Sequence, residues 1–137
     1  MYSRPFYLYI HSLRQHRPSW VNLYPVESRI IESLKPDSSD APASTFVDVG
    51  GSLGQILQDF QDAFPQYTGQ LVLQELPEVI AAATAKGVGA DGRIKLQTHD
   101  FFTPQPVKGA RVYFMRTILH DCRFFIIGDM GILGSGL

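Results

Sequence analysis

Apolar positions along residues 45–115 alternate between two spacings. Four short segments are apolar and rich in β-branched residues, and we predict strands at Thr45–Val49, 70–74, Ile94–Thr98 and 110–115. Between the first two strands, apolar side chains at helical spacing predict a helix over residues 53–64, which Pro65 ends. A second helix is predicted over residues 76–86, with Pro77 in its first turn.

Strands that alternate with helices are typical of an α/β fold, because each helix returns the chain to the starting end of the next parallel strand. We therefore expect a partial Rossmann-like parallel sheet of four strands, preceded by helices. A helix is predicted over residues 24–34, and residues 2–13 are predicted to be the end of an earlier helix. Pro18 predicts a turn at residues 16–20, and the polar residues 35–44 predict a linker.

Composition narrows the class of protein. The 137 residues suffice for one domain, and 45% hydrophobic with 18% charged residues is typical of a globular chain. A formal net charge of −1 lacks the basic surplus of nucleic-acid-binding proteins, so we expect no nucleic-acid partner. No apolar run reaches the roughly 18 residues of a membrane span, and we expect neither a membrane partner nor a targeting signal. Cys122 is the single cysteine, which excludes an internal disulfide or a cysteine zinc cluster and favours a reducing, cytoplasmic location.

Glycines follow the first predicted strand directly, at Gly50, Gly51 and Gly54. In an open parallel sheet, ligands bind beyond the carboxyl ends of the strands, near the point where the strand order reverses. Glycine admits positive φ and lets a ligand approach the backbone closely. This turn is therefore a candidate site for a nucleotide-like cofactor, and a tight turn without a ligand is the alternative.

The register of these glycines separates two cofactors. A dinucleotide-binding Gly-x-Gly-x-x-Gly pattern that ended at Gly54 would need glycine at position 49, where the chain has Val49. Asp48 lies at the end of the strand instead, and its carboxylate would repel a pyrophosphate but attract an ammonium or sulfonium cation. S-adenosyl-L-methionine carries both cations, so the register favours this cofactor over NAD.

A second carboxylate, Glu75, follows the second predicted strand. In that place a carboxylate can accept hydrogen bonds from both ribose hydroxyls of an adenosine, whichever of the two cofactors is bound. The alternative is an acidic residue that stabilises the start of the following helix, ahead of Pro77.

Four blocks, in order along the chain, resemble one known family. They are residues 46–54 (FVDVGGSLG), 71–77 (LVLQELP), 99–106 (HDFFTPQP) and 109–121 (GARVYFMRTILHD). Together they resemble the plant and fungal small-molecule O-methyltransferases, which are class I S-adenosylmethionine-dependent enzymes, and especially the fungal secondary-metabolite branch. Residues 17–20 (RPSW) resemble the stretch that precedes the cofactor domain in that branch.

The resemblance implies which residues hold the methionine and ribose parts of the cofactor. Gly50 and Gly51 would line the methionine end, next to the Asp48 carboxylate. Glu75 would hold the ribose, at a position where the family more often has aspartate. Ser52 likewise stands where glycine is commoner.

The resemblance also implies an adenine pair and a nearby cation. Asp100 and Phe101 match the pair that flanks adenine: the carboxylate accepts a hydrogen bond from the exocyclic amine, and the ring offers an apolar face. Arg116 matches a basic residue near the cofactor. The alternatives are a buried strand end for the pair and a surface cation for Arg116.

His120 matches the general base of the family. A phenol titrates near ~10, so a neutral imidazole with a pKa of about 6.5 is needed to remove its proton as the methyl group moves. The implied acceptor is a phenolic or polyketide-like small molecule. Asp121 would orient the histidine, and a structural histidine is the alternative.

Beyond Asp121 the chain departs from the family. We expect three parts: a helical segment and linker over residues 1–44, an incomplete S-adenosylmethionine-binding domain over 45–121, and a divergent tail over 122–137. The fourth strand would form an open edge unless residues 124–127 pair with it. The resemblance implies that full-length relatives are homodimers.

Two other functions stay open: a catalytically inactive relative that acts as a binding module or has no function, and an NAD-dependent oxidoreductase, which Val49 disfavours.

Overall fold

The computed structural model describes residues 18–23, 25–31, 45–115, 126–128 and 131–133. The helix predicted at residues 2–13 and the linker predicted at 35–44 lie outside these ranges. So do Arg116 and His120, the predicted cation near the cofactor and the predicted general base.

A parallel four-stranded sheet forms the centre of the described part. Its strands are β1 (Thr45–Val49), β2 (Gln70–Glu75), β3 (Ile94–Thr98) and β4 (Val112–Phe114), in the order β3–β2–β1–β4. All three strand pairings are parallel, and Val47 lies opposite Val72 on one side and Tyr113 on the other. The predicted α/β class with a parallel sheet is confirmed.

Three α-helices of the described part accompany the sheet: α1 (Trp20–Leu23), α2 (Gln55–Ala63) and α3 (Pro77–Ala85). The last two connect β1 to β2 and β2 to β3, as the sequence predicts, with ends within one or two residues of the expected ones. Residue Gly54 caps α2 in the left-handed conformation, at φ 77°. Pro77 opens α3, where its fixed φ suits the first helical turn.

Two strands differ in length from the prediction. β2 continues one residue further, because Glu75 pairs with Thr98 of β3. β4 is shorter than residues 110–115, and the Ala110 N–H is taken by the Tyr113 hydroxyl at 3.2 Å, a side-chain acceptor in place of a strand carbonyl.

The segment before β1 folds differently from the prediction. Trp20, predicted in a turn, begins α1. Of the helix predicted over residues 24–34 the structure describes residues 25–31, which contain a π-helical turn, Glu27–Ile31. The reason is tertiary: the Trp20 ring is buried in the main core, and its Nε1–H donates to the Ile56 carbonyl at 3.1 Å. The Ser19 hydroxyl donates to the Asp59 carboxylate at 2.9 Å, so the segment is fixed along α2.

The two faces of the sheet bury separate apolar clusters. The larger cluster packs α1, α2 and α3 against one face, and Phe46, Leu71 and Leu73 supply the strand side chains. The smaller cluster, on the opposite face, contains Val47, Val49, Val72 and Ala110. Alternate residues of β1 and β2 therefore face opposite cores, as the two-residue period of a strand requires.

Beyond residue 115 the structure describes one hairpin. β5 (Ile126–Gly128) pairs antiparallel with β6 (Gly131–Leu133). Ile126 and Ile127, the described residues of the segment considered as a partner for the fourth strand, therefore pair with a neighbouring part of the chain. Within the described ranges, no helix is both long and apolar enough to span a membrane.

Candidate functional site

The site lies where three parallel strands end together. Val49 pairs with Gln74, and Glu75 pairs with Thr98, so the carboxyl ends of β1, β2 and β3 form one edge. We call this the carboxyl edge, made by residues 49–54, 75–76 and 98–101. The chain passes outward from β1 to β2 and β3 and then returns to β4 beside β1, so β1 is at the point where the strand order reverses. Ligands of open α/β sheets bind at this position.

The glycine turn is held by hydrogen bonds of the backbone. Gly50 N donates to the Gln74 carbonyl at 2.8 Å, and Gly54 N donates to the Gly51 carbonyl at 3.0 Å. Gly50 has a φ of 65° and Ser52 a φ of 56°, both in the left-handed region. Ser52, which stands where the family commonly has glycine, adopts a conformation that glycine adopts without a Cβ penalty.

Gly51 is required by the protein's own packing. A Cβ at this position would lie 2.5 Å from Asp48 Cγ and 2.5 Å from Leu73 Cδ1, far inside contact distance. The sequence interpretation attributed the glycines to the close approach of a ligand. At Gly51 the structure adds a second and sufficient cause, since the missing side chain makes room for the Asp48 carboxylate.

Asp48 points toward the turn from within β1. Its side chain is 1% exposed, and its carboxylate reaches the space beside Gly51. A carboxylate in this position places negative charge directly beneath the backbone of the turn. It would attract a cation bound at the carboxyl edge by electrostatic interaction across the backbone of the turn.

Glu75 connects the glycine turn to α3. Its Oε1 accepts from Ser52 N at 3.0 Å, and its Oε2 accepts from Leu76 N at 2.9 Å. Burial raises the pKa of the Glu75 carboxyl above its ordinary value of 4.5, the two backbone hydrogen bonds lower it, and the nearby Glu78 charge raises it. A carboxylate has about four lone-pair sites, so each oxygen keeps capacity for one more donor, as two ribose hydroxyls would require.

Asp100 and Phe101 follow β3 at the same edge. Asp100 Oδ1 accepts from Phe102 N at 2.9 Å and its carbonyl accepts from Thr103 N at 2.9 Å, so the pair begins a tight turn. The Asp100 side chain is exposed, whereas the Phe101 ring packs against the smaller apolar cluster. His99 N donates to the Glu75 carbonyl at 3.0 Å, which places the adenine pair next to the predicted ribose carboxylate.

Sequence reasoning missed a group of buried amides behind this edge. We call Gln74, Gln97 and Gln105 the glutamine cluster. Gln74 is 0% exposed and Gln105 is 2% exposed, and their side-chain amides bond to each other. Gln74 was taken as the end of its strand, and the one signal for its burial is its place directly after the apolar residues 71–73.

Of the eight predicted site residues, the structure describes six and brings them to one edge. Asp48, Gly50, Gly51 and Glu75 meet around the glycine turn, and Asp100 and Phe101 begin the adjacent loop. Arg116 and His120 lie outside the described residues. Within the described ranges, no group of three or more metal-ligating side chains is present.

The sheet, the acidic glycine turn and the carboxylate after β2 define an α/β domain of the class that holds nucleotide-like cofactors at its strand ends. The sequence model of the O-methyltransferase domain family matches residues 28–124, well over half of the chain. The chain belongs to this O-methyltransferase family.

Two curated fungal proteins illustrate the relationship. Methyltransferase cfoC of Aspergillus candidus is 35% identical over 116 residues, which are 85% of this chain and 27% of that protein. Demethylsterigmatocystin 6-O-methyltransferase stcP of Emericella nidulans is 36% identical over 112 residues, 81% of this chain and 50% of that protein. The chain therefore spans about a quarter to a half of the length of these relatives.

Solved structures of related proteins share the fold. A variant of LepI, in complex with SAH (S-adenosylhomocysteine) and a substrate analogue, matches with a TM-score of 0.65 and 34% identity over 78% of this chain and 26% of that one. OxaC in complex with SAH and oxaline matches with a TM-score of 0.61 and 32% identity, over 74% and 24% of the two chains.

Proposed function

We propose that this chain binds S-adenosyl-L-methionine at the carboxyl edge, as the cofactor part of an O-methyltransferase. The observation that carries the proposal is the Glu75 carboxylate, which bonds the glycine turn at Ser52 N and still has lone pairs for two hydroxyl donors. Relatives of similar fold are named as complexes with SAM or SAH, which supports the same ligand here.

Each described residue has a distinct part in this proposal. Gly50 and Gly51 offer backbone to the methionine end of the ligand, and the Asp48 carboxylate attracts its cationic groups. Glu75 accepts from the ribose hydroxyls. Asp100 accepts from the exocyclic amine of adenine, and Phe101 provides an apolar face for the ring.

Methyl transfer needs one further group, and we assign it to His120 by its position in the matched block of residues 109–121. S-adenosylmethionine, when bound, supplies a methyl group activated by its sulfonium. His120 would accept the proton of the acceptor hydroxyl as its oxygen takes the methyl group, and the carbon–sulfur bond would break to leave SAH as the second product. Arg116 would add a cation near the ligand, and Asp121 would orient the histidine.

The acceptor we propose is a small phenolic or polyketide-like molecule. The relative named demethylsterigmatocystin 6-O-methyltransferase supports this class. Homodimers of the full-length protein and a cytoplasmic location stay predictions. Since the chain spans about a quarter to a half of these relatives, a cofactor-binding module without turnover is the second candidate function.

Titration calorimetry with SAH tests the cofactor proposal. We expect saturable heat from the purified chain and at least a tenfold weaker Kd for Glu75→Ala, because about two hydrogen bonds to a charged group are lost. Glu78→Ala is the matched control: it removes an exposed carboxylate three residues away, in the first turn of α3, and should change the Kd less than about twofold. No heat at millimolar ligand, or equal binding by Glu75→Ala, would contradict the proposal.

Transfer from methyl-labelled donor to catechol-like acceptors separates the two candidate functions. Labelled product from the wild type that is lost in His120→Ala indicates the enzyme. Folded protein that binds SAH but forms no product indicates the binding module.

A further inference from the structure

The glutamine cluster joins the centre of the sheet to the loop that carries the predicted adenine pair. Gln74 lies on β2, Gln97 lies opposite it on β3, and Gln105 lies in the 99–109 loop. Gln74 Nε2 donates to Gln105 Oε1 at 2.7 Å, and Gln105 Nε2 donates back to Gln74 Oε1 at 2.8 Å. The two buried amides therefore form a reciprocal pair.

This pair makes two further hydrogen bonds. Gln74 Nε2 makes a second bond to Gln97 Oε1 at 2.8 Å, and Gln105 Oε1 accepts from Val107 N at 3.0 Å. A buried amide without partners costs free energy, so the loop has one favoured position, in which all of these bonds form together. The loop is therefore held by directional hydrogen bonds of the glutamine cluster as well as by apolar contacts.

Gln74 also acts on the glycine turn. Its backbone carbonyl accepts from Gly50 N at 2.8 Å and from Gly51 N at 3.4 Å. Gln74 therefore bonds the glycine turn with its backbone and, with its side chain, Gln105 in the loop that carries the predicted adenine pair. The glycine turn and the 99–109 loop are therefore both bonded to Gln74 on β2.

The loop has a second anchor beyond the cluster. The Tyr113 hydroxyl on β4 donates to the Val107 carbonyl at 2.7 Å and accepts from Ala110 N. Between His99, which bonds β2, and Gln105 there are only five residues, with Asp100 at their start. The exposed Asp100 side chain is therefore carried on a short segment that is held at both ends.

We propose that Gln105, held by Gln74, is a positioning residue that sets the Asp100 carboxylate where it reads the exocyclic amine of the ligand. The cluster thereby gives the site its preference for adenine over a purine with a carbonyl at the same position. This inference rests on the proposed S-adenosylmethionine site. It assigns no contact between either glutamine and the ligand.

The test compares the affinities of two probes, SAH and S-inosylhomocysteine. The second probe has the same ribose and amino acid, with a carbonyl in place of the amine. For the wild type we expect SAH to bind at least about tenfold more tightly, because a carboxylate accepts from an amine and repels a carbonyl oxygen.

Two variants remove the pairing in different ways. Gln74→Met/Gln105→Met replaces both buried amides at similar volume. Gln97 Oε1 and Val107 N lose a partner, but both residues are only half-buried and these groups can bond to water, so we expect the variant to fold. Gln105→Asn keeps the amide and shortens its reach. We expect the ratio of the two affinities to fall below about threefold in the first variant and to an intermediate value in the second, while the affinity for S-inosylhomocysteine changes less than about twofold.

Gln61→Met is the matched control. Gln61 Nε2 bonds the exposed Asp91 at 2.7 Å, ahead of β3 and so at the opposite edge of the sheet, and this variant should keep the wild-type ratio. The inference is overturned if either cluster variant keeps the wild-type ratio, or if both probes weaken equally, which would indicate a merely structural role. A wild type that binds neither probe overturns the proposed function as well, and one that binds both equally overturns only the inference.

Discussion

Gly51 illustrates how tightly the turn after β1 is packed. The turn brings its backbone against two side chains from neighbouring strands, Asp48 and Leu73, and no side chain fits between them. A methyl group there must displace either a buried carboxylate or a core leucine. The Asp48 carboxylate that packs against Gly51 is also the group proposed to attract the cationic end of the ligand.

Gly51→Ala is therefore expected to cost about 2–3 kcal/mol in the free energy of unfolding, as overpacking of a tight interior does. Gly87→Ala is the matched control. Gly87 has a φ of 81° but no atom within 4 Å of its added Cβ, so that substitution should cost only about 1 kcal/mol through backbone strain. Denaturant unfolding of both variants measures the difference, and equal losses would show that the Asp48 and Leu73 contacts are unimportant.

Glu75 gives the site a pH dependence of known sign. Its folded-state pKa is raised above 4.5 mainly by burial, whereas ribose hydroxyls donate to the charged form. We expect the affinity for SAH to fall by up to about tenfold per pH unit as the pH drops below the raised pKa, because one proton must leave for the ligand to bind fully. Calorimetry between pH 4 and 8 measures this. Glu78→Ala should show the same fall in affinity displaced to lower pH, because the Glu78 charge contributes to the raised pKa of Glu75. A flat profile in the wild type would contradict the role of Glu75.

Folding stability depends on the same group with the opposite preference. A carboxyl whose pKa is raised on folding stabilises the native state fully below its unfolded value of 4.5, and this contribution is lost as the pH rises through the raised value. The stability of the wild type relative to Glu75→Gln is therefore expected to decrease from pH 4 to neutral pH. An increase over that range, measured by denaturant unfolding, would contradict the direction of the shift.

At the scale of secondary-structure elements, the bounds of the strands show how far the local pattern of apolar residues predicts the structure. β1 and β3 have the predicted bounds for different reasons. β1 is buried on both faces and shows an almost continuous apolar run, whereas β3, at the edge of the sheet, alternates Ile94 and Leu96 with polar residues. β2 was predicted one residue short, because Glu75 is polar and yet pairs with β3. α1 was missed altogether, since its position depends on contacts of Trp20 with α2 that no local pattern contains.

Trp20→Phe tests how firmly α1 is held. The substitution removes the Nε1–H bond to the Ile56 carbonyl and part of a ring that stacks on Phe60 with centroids 6.3 Å apart. We expect a loss of about 2–3 kcal/mol in unfolding free energy. Leu23→Ala, in the same helix but with its side chain 69% exposed, should stay within about 0.5 kcal/mol.

Circular dichroism is the suitable readout for this pair, because Trp20 is the single tryptophan and its fluorescence is absent from the variant. Equal stabilities for Trp20→Phe and Leu23→Ala would mean that α1 contributes nothing to the core.

At the scale of the whole molecule, the sequence locates the candidate site but not its support. Parallel strands alternate with helices, so residues at the ends of β1 and β2 must meet at one edge, and this placed Gly50 and Glu75 together, whereas Asp100 was assigned through the family resemblance. The glutamine cluster could not be predicted in the same way. Gln74 and Gln105 lie far apart in the sequence, and glutamine is ordinarily an exposed residue.

The family resemblance is confirmed at this scale by the match over residues 28–124, whereas the roles of individual residues stay predictions. The distinction is physical. The family match and the similar solved structures indicate that the chain shares the fold of the family. The affinity for a ligand depends instead on the positions of a few oxygen and nitrogen atoms at the carboxyl edge.

The most direct test of the central claim is a crystal structure of this chain with SAH bound. The account predicts the two ribose hydroxyls within hydrogen-bond distance of the Glu75 carboxylate, the homocysteine part against Gly50 and Gly51, and the adenine amine at Asp100. A ligand bound elsewhere, or a ribose that makes no contact with Glu75, would contradict it.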